Sequence, residues 1–163
     1  MKKIHYRGFM KLIGIGFLII FLVGSLAFAE AGKPIKPCPN DKCQVCGMFV
    51  AKYPKWISEI IFKDGSYAFF DGPKDMFKYY HDLGKYNPSK KTSDILAVYV
   101  TEYYSTKLMP AEKMFFIKGS DVNGPMGDEL IPIESEKNAK GFMKDHNGKK
   151  ILRFDEITSE ELK

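Results

Sequence analysis

Residues 56–84 read WISEIIFKDGSYAFFDGPKDMFKYYHDLG. Trp56 to Phe62 is rich in apolar and aromatic residues and reads as a strand, Asp64-Gly65 is a hairpin turn signal, and Tyr67 to Phe70 is the returning strand. Asp71-Gly72-Pro73 ends the hairpin. From Lys74 to Leu83 the positions Met76, Phe77, Tyr80 and Leu83 recur at helical spacing, with Asp71 placed to cap the helix and Gly84 to stop it. Residues 113–148, KMFFIKGSDVNGPMGDELIPIESEKNAKGFMKDHNG, repeat this order. Met114 to Lys118 is a strand, Gly119 to Gly127 a loop, and Glu129 to Ile133 a strand that Pro132 marks as an edge. Ser135 to His146 is a helix with Ala139, Phe142 and Met143 on one face, stopped at Asn147-Gly148. Ile95 to Val100 and Ile151 to Phe154 supply further strands. The sequence therefore predicts an α+β fold of duplicated β-β-α units with antiparallel strands.

Upstream of this repeat, Lys2, Lys3, Arg7 and Lys11 precede a run from Leu12 to Ala29 that is apolar apart from Ser25. A basic stretch, an apolar stretch and the small-residue site Ala27-Phe28-Ala29 make residues 1–29 a signal peptide cleaved before Glu30. The competing reading is an uncleaved anchor to the inner membrane, since about 18 apolar residues reach the lower limit for a span. Lys36-Pro37 before Cys38 does not suit lipidation. Either way the rest of the chain works outside the cytoplasm, in the periplasm. Removing residues 1–29 takes four basic residues and no acidic one, so most of the net charge of +5 is a targeting signal and gives no argument for nucleic-acid binding. Residues 30–42, with Pro34, Pro37 and Pro39, read as a flexible tether, residues 43–156 as a metal-binding domain, and residues 157–163 as a frayed tail.

All three cysteines, Cys38, Cys43 and Cys46, fall at one end of the chain, where a disulfide would close only a tiny loop. The cluster reads as chemistry. Cys43 and Cys46 offer thiolates and Met48 a thioether, donors that select soft ions and above all Cu(I). Gly47 between them lets the backbone turn so that the sulfurs face one ion. A core side chain leading into Phe49-Val50 is the competing reading of Met48. Met126, in the turn Asn123-Gly124-Pro125-Met126-Gly127, has no apolar neighbours to pack against and is the fourth candidate ligand. Met76, Met109, Met114 and Met143 read as core, and His81 and His146 as surface or capping residues near helix ends. Placing the cysteines on a Pro-rich tether outside the core predicts an exposed site. No Ser/His/Asp set, phosphate loop or suggestively spaced carboxylate pair emerges, so no enzyme activity is expected. The alternatives are a thiol-disulfide oxidoreductase, which wants its first cysteine at a helix N-terminus, and a zinc-binding structural or sensor module using the three cysteines.

These residues resemble the NosL family, accessory copper-binding proteins of nitrous oxide reductase maturation. The matching features are Cys43-x-x-Cys46-Gly47-Met48, Phe70-Asp71, Ser93-Asp94, Gly124-Pro125-Met126-Gly127, and Ala139-x-x-Phe142 before Gly148. The resemblance implies two β-β-α-type units and a monomeric carrier of Cu(I) that hands it to an ABC-type maturation complex and onward to the reductase. The chain departs from the family pattern in lacking a lipobox, in Cys38, and in Gly72 where a second acid is common.

Overall fold

A computed structural model of the chain describes residues 32–163. The signal segment and its cleavage site lie outside the described residues. The expected duplication is present and extends to a third strand in each copy. In the first, β1 (Ser58–Phe62) pairs antiparallel with β2 (Tyr67–Phe70), the chain continues through α1 (Pro73–His81) and α2 (Leu83–Tyr86), and β3 (Ile95–Thr101) returns antiparallel on the other side of β1. In the second, β5 (Phe115–Lys118) is central, flanked by β8 (Ile131–Ile133) and, after α3 (Glu136–Asp145), by β9 (Lys150–Leu152). Both sheets thus place the first strand of the repeat between the second and the third. The strand β4 (Leu108–Pro110) pairs with β3 and extends the first sheet to the order β2-β1-β3-β4.

Alternation along β5 explains why there are two apolar centres. Met114 and Phe116 point into the larger core, with Ile60, Ala68, Phe70, Met76, Phe77, Tyr79, Val98 and Val100. Phe115 and Ile117 point to the opposite face, where Ile131, Ile133, Ala139 and Phe142 gather. The Phe77 and Phe116 rings meet edge to face with centroids 5.2 Å apart, joining α1 to β5. Each such buried side chain contributes about 1.5–3 kcal/mol by leaving water.

Several local expectations are corrected. The first strand starts at Ser58, not Trp56. Gly84 does not stop the helix: Asp82 does so, and its carboxylate then accepts from the Lys85 N–H to start α2. Asp71 is not a cap, since Gly72 occupies the cap position in extended conformation without any side-chain hydrogen bond. The loop 119–127 contains β6 (Asn123–Gly124), which pairs with β7 (Gly127–Asp128) around a Pro125-Met126 turn. The final strand ends at Leu152, and Phe154–Glu156 is a 3-10 turn. The tail is not frayed. Ile157 and Leu162 are buried in the larger core, and Glu161 bonds Lys118 and Lys150 at 2.9 and 2.6 Å. Among the described residues no helix is long and apolar enough to cross a membrane.

Candidate metal centre

The Cys43–Met48 segment is a closed turn held against β2. The Cys43 N–H donates to the Met48 carbonyl at 2.8 Å, and Gly47 N–H donates to the Cys43 carbonyl at 3.0 Å. Outside this ring, Lys42 and Phe49 form an isolated antiparallel bridge. Gly47 turns the chain with φ of +81°, a left-handed conformation that suits glycine. The Gln44 N–H donates to the Phe69 carbonyl at 3.2 Å, so the turn is anchored beside the strand that ends in Phe70-Asp71.

This anchoring brings four ligand atoms together. One atom from each of Cys43, Cys46, Asp71 and Asp75 lies within 4.8 Å of all the others. The Cys43 thiol donates to Asp75 Oδ2 at 3.5 Å and the Cys46 thiol to Asp71 Oδ1 at 3.3 Å. Asp71 directly follows β2 and Asp75 lies in the first turn of α1, and the chain's passage through the extended Gly72 brings both carboxylates against the Cys43–Met48 turn. No local pattern in the sequence marks this pair, because an acid just before Gly72-Pro73 also fits a helix cap.

Cys43 is only 3% exposed and belongs to the larger core, which corrects the expectation of cysteines lying outside it. Cys46 is half-buried and packs against that core. Burial pushes the Cys43 thiol well above the ordinary range, and the neighbouring Asp71 carboxylate pushes it further. Burial, with Asp71 adding to it, raises Cys46 in the same direction. Both thiols therefore hold their protons at neutral pH and lend them to the carboxylates. Asp71 Oδ2 is buried with no hydrogen-bond partner among the described residues, a lone pair that an incoming cation would satisfy. Asp75 spends its other oxygen on Lys78 at 2.8 Å.

The remaining candidates are placed as follows. Met48 is half-buried, directly after Gly47. Met126 stands at the tip of the β6–β7 hairpin, 60% exposed. Cys38 is exposed, outside the four-residue cluster, and its backbone N–H donates to Asp41 Oδ2 at 2.6 Å. His81 Nε2 lies 2.6 Å from the Ile157 carbonyl and His146 Nδ1 3.0 Å from Asp121, so each imidazole is engaged near a helix end.

Comparison with known proteins agrees with this architecture. The "Copper-binding lipoprotein NosL" of Stutzerimonas stutzeri is 26% identical over 173 residues, covering 96% of this chain and 84% of that protein. The crystal structure of the copper chaperone NosL from Shewanella denitrificans superposes with a TM-score of 0.67 at 24% identity, covering 78% of this chain and 97% of that one, and shares the fold. A protein-family model described as NosL matches residues 34–162, which include both repeats and the Cys43–Met48 turn, and the chain belongs to the NosL family.

Proposed function

We propose that the chain is an exported carrier of Cu(I) that delivers copper for assembly of the nitrous oxide reductase copper centres, by way of an ABC-type maturation complex. The observation that carries the binding half of this reading is the convergence of Cys43, Cys46, Asp71 and Asp75 within 4.8 Å. Met48 and Met126 supply thioether donors to the same ion. Two thiolates and neutral thioethers suit a soft monovalent ion. The half-buried Cys46 and exposed Met126 leave a side from which an acceptor's sulfur or nitrogen can enter. The names of its relatives, a copper-binding protein and a copper chaperone, support copper as the cargo. The lipoprotein relative, together with residues 1–29, supports a place outside the cytoplasm in association with the membrane.

Carriage fits the site better than catalysis. A nucleophilic thiol needs a lowered pKa, whereas both cluster thiols are raised, and Cys43 precedes a turn rather than a helix. Zinc held by three cysteines is disfavoured because Cys38 stands apart from the cluster. Incubating the Cu(I)-loaded chain with copper-free reductase and the maturation complex should restore the reductase's copper content and, once a chemical oxidant is added, its visible copper absorption. Restoration by free Cu(I) at the same rate, with the chain adding nothing, would defeat the delivery reading.

A further inference from the structure

Glu129 is an acidic side chain buried to 7% exposure between two elements that carry candidate ligands. Its Oε1 accepts from the Lys74 N–H at 2.6 Å, in the first turn of α1, and from the Leu130 N–H at 2.9 Å. The first bond spans 55 residues of sequence and satisfies a helix donor that the extended Gly72 leaves without a side-chain partner. Two glycines make room for this carboxylate. A Cβ at Gly72 would lie 2.1 Å from Glu129 Oε2, and one at Gly124 would lie 3.0 Å from Glu129 Cγ. A side chain at Gly72 would thus push the Glu129 carboxyl out of this position. A second link runs alongside, from Lys74 Nζ to the Asp128 carbonyl at 3.4 Å.

We propose that Glu129 is a positioning residue of the metal site, clamping the base of the β6–β7 hairpin to the start of α1. The clamp sets the place of the Met126 thioether relative to Cys43, Cys46, Asp71 and Asp75. This rests on the reading of Met126 as a ligand. On one side of the clamp, Gly124 is two residues from Met126; on the other, Lys74 lies between Asp71 and Asp75. One side chain therefore joins the segments that hold the thioether and the carboxylates. Burial raises the Glu129 carboxyl to about 8, so near neutral pH it serves largely as a neutral acceptor, a role that an amide can fill.

The test uses the full chain and its Met126→Leu, Glu129→Ala and Glu129→Gln variants, each loaded anaerobically with one equivalent of Cu(I). The sulfur count is read by copper X-ray absorption, affinity by competition with a chelator, and fold by circular dichroism. Glu129→Ala and Met126→Leu should lose the same sulfur scatterer and bind Cu(I) roughly 10-fold or more weakly, while Glu129→Gln keeps the full count. A folded Glu129→Ala with wild-type count and affinity, beside a Met126→Leu that loses both, would overturn the clamp and leave Met126 a ligand. An unaffected Met126→Leu would instead remove Met126 from the site and the clamp's role with it. Loss of the sulfur in Glu129→Gln would also overturn the proposal, because both backbone bonds retain their acceptor. Should Glu129→Ala fail to fold, Glu129→Asp, one methylene shorter, decides by the same readouts: a lost sulfur supports the clamp and a full count overturns it.

Discussion

The Cys43 and Cys46 thiols donate to the Asp75 and Asp71 carboxylates, so each sulfur carries its proton in the metal-free chain. Cys43 and Cys46 are raised by burial and by Asp71, so an ion entering the cluster must displace both protons. Cu(I) loading near neutral pH should therefore release roughly two protons per ion, and apparent affinity should climb as pH rises. Calorimetry in two buffers of different ionisation enthalpy measures this directly, and an identical heat in both would mean that the thiols are not the ligands. The CxxC spacing made these cysteines visible in the sequence. Asp71 and Asp75 were hidden because an acid two residues before a helix-starting proline satisfies a local capping rule, while their convergence with the cysteines depends on a tertiary contact, Gln44 N–H to the Phe69 carbonyl.

At the scale of elements, the backbone of the Cys43–Met48 turn holds its two thiols beside Asp71 and Asp75. Gly47 has φ of +81° and open space around it, so Gly47→Ala meets no steric neighbour and its cost is purely conformational. We expect a loss of about 1–2 kcal/mol in denaturant unfolding, accompanied by weaker Cu(I) binding. Ser135→Ala is the matching control. Its hydroxyl accepts from the Asn138 N–H at the start of α3, and removal should cost about 1 kcal/mol without altering copper affinity. Equal copper affinity in both variants would show that the turn's geometry does not set the site. The long periodic elements were legible: β2 falls at Tyr67–Phe70 as read, and α3 lies between Ser135 and His146. β4 was not, because Leu108–Pro110 is too short to show a period and ends in proline; it exists by pairing with β3. β6 and β7 are shorter still, and only their registry across the Pro125-Met126 turn defines them.

For the whole molecule, two buried acids set how stability responds to pH. Burial raises Glu59 to about 7 and Glu129 to about 8. Above the ordinary carboxylate value, the folded state then binds more protons than the unfolded state, so stability falls as pH rises through about 5 to 8. Thermal unfolding of the metal-free chain should show this decline, and Glu59→Gln with Glu129→Gln should flatten it. The same wholeness appears at the C-terminus, where composition suggested fraying but a long-range contact decides: Leu162→Ala should cost roughly 2–4 kcal/mol, against almost nothing for a solvated tail. The duplicated order of strands and helix was legible from residues 56–84 and 113–148 because each copy sets apolar strand runs apart with turn residues and then shows helical spacing of its apolar positions. The depth of Cys43 was not, because nothing local reveals that a proline-flanked turn is drawn into the core. We propose that this turn and the start of α1 form one copper site. Anaerobic competition against a colorimetric Cu(I) chelator tests it most directly, comparing the natural chain with its Cys43→Ser, Cys46→Ser double variant. We predict one tightly held Cu(I) per natural chain and almost none in the double variant; an unchanged stoichiometry and affinity in the double variant would contradict the account.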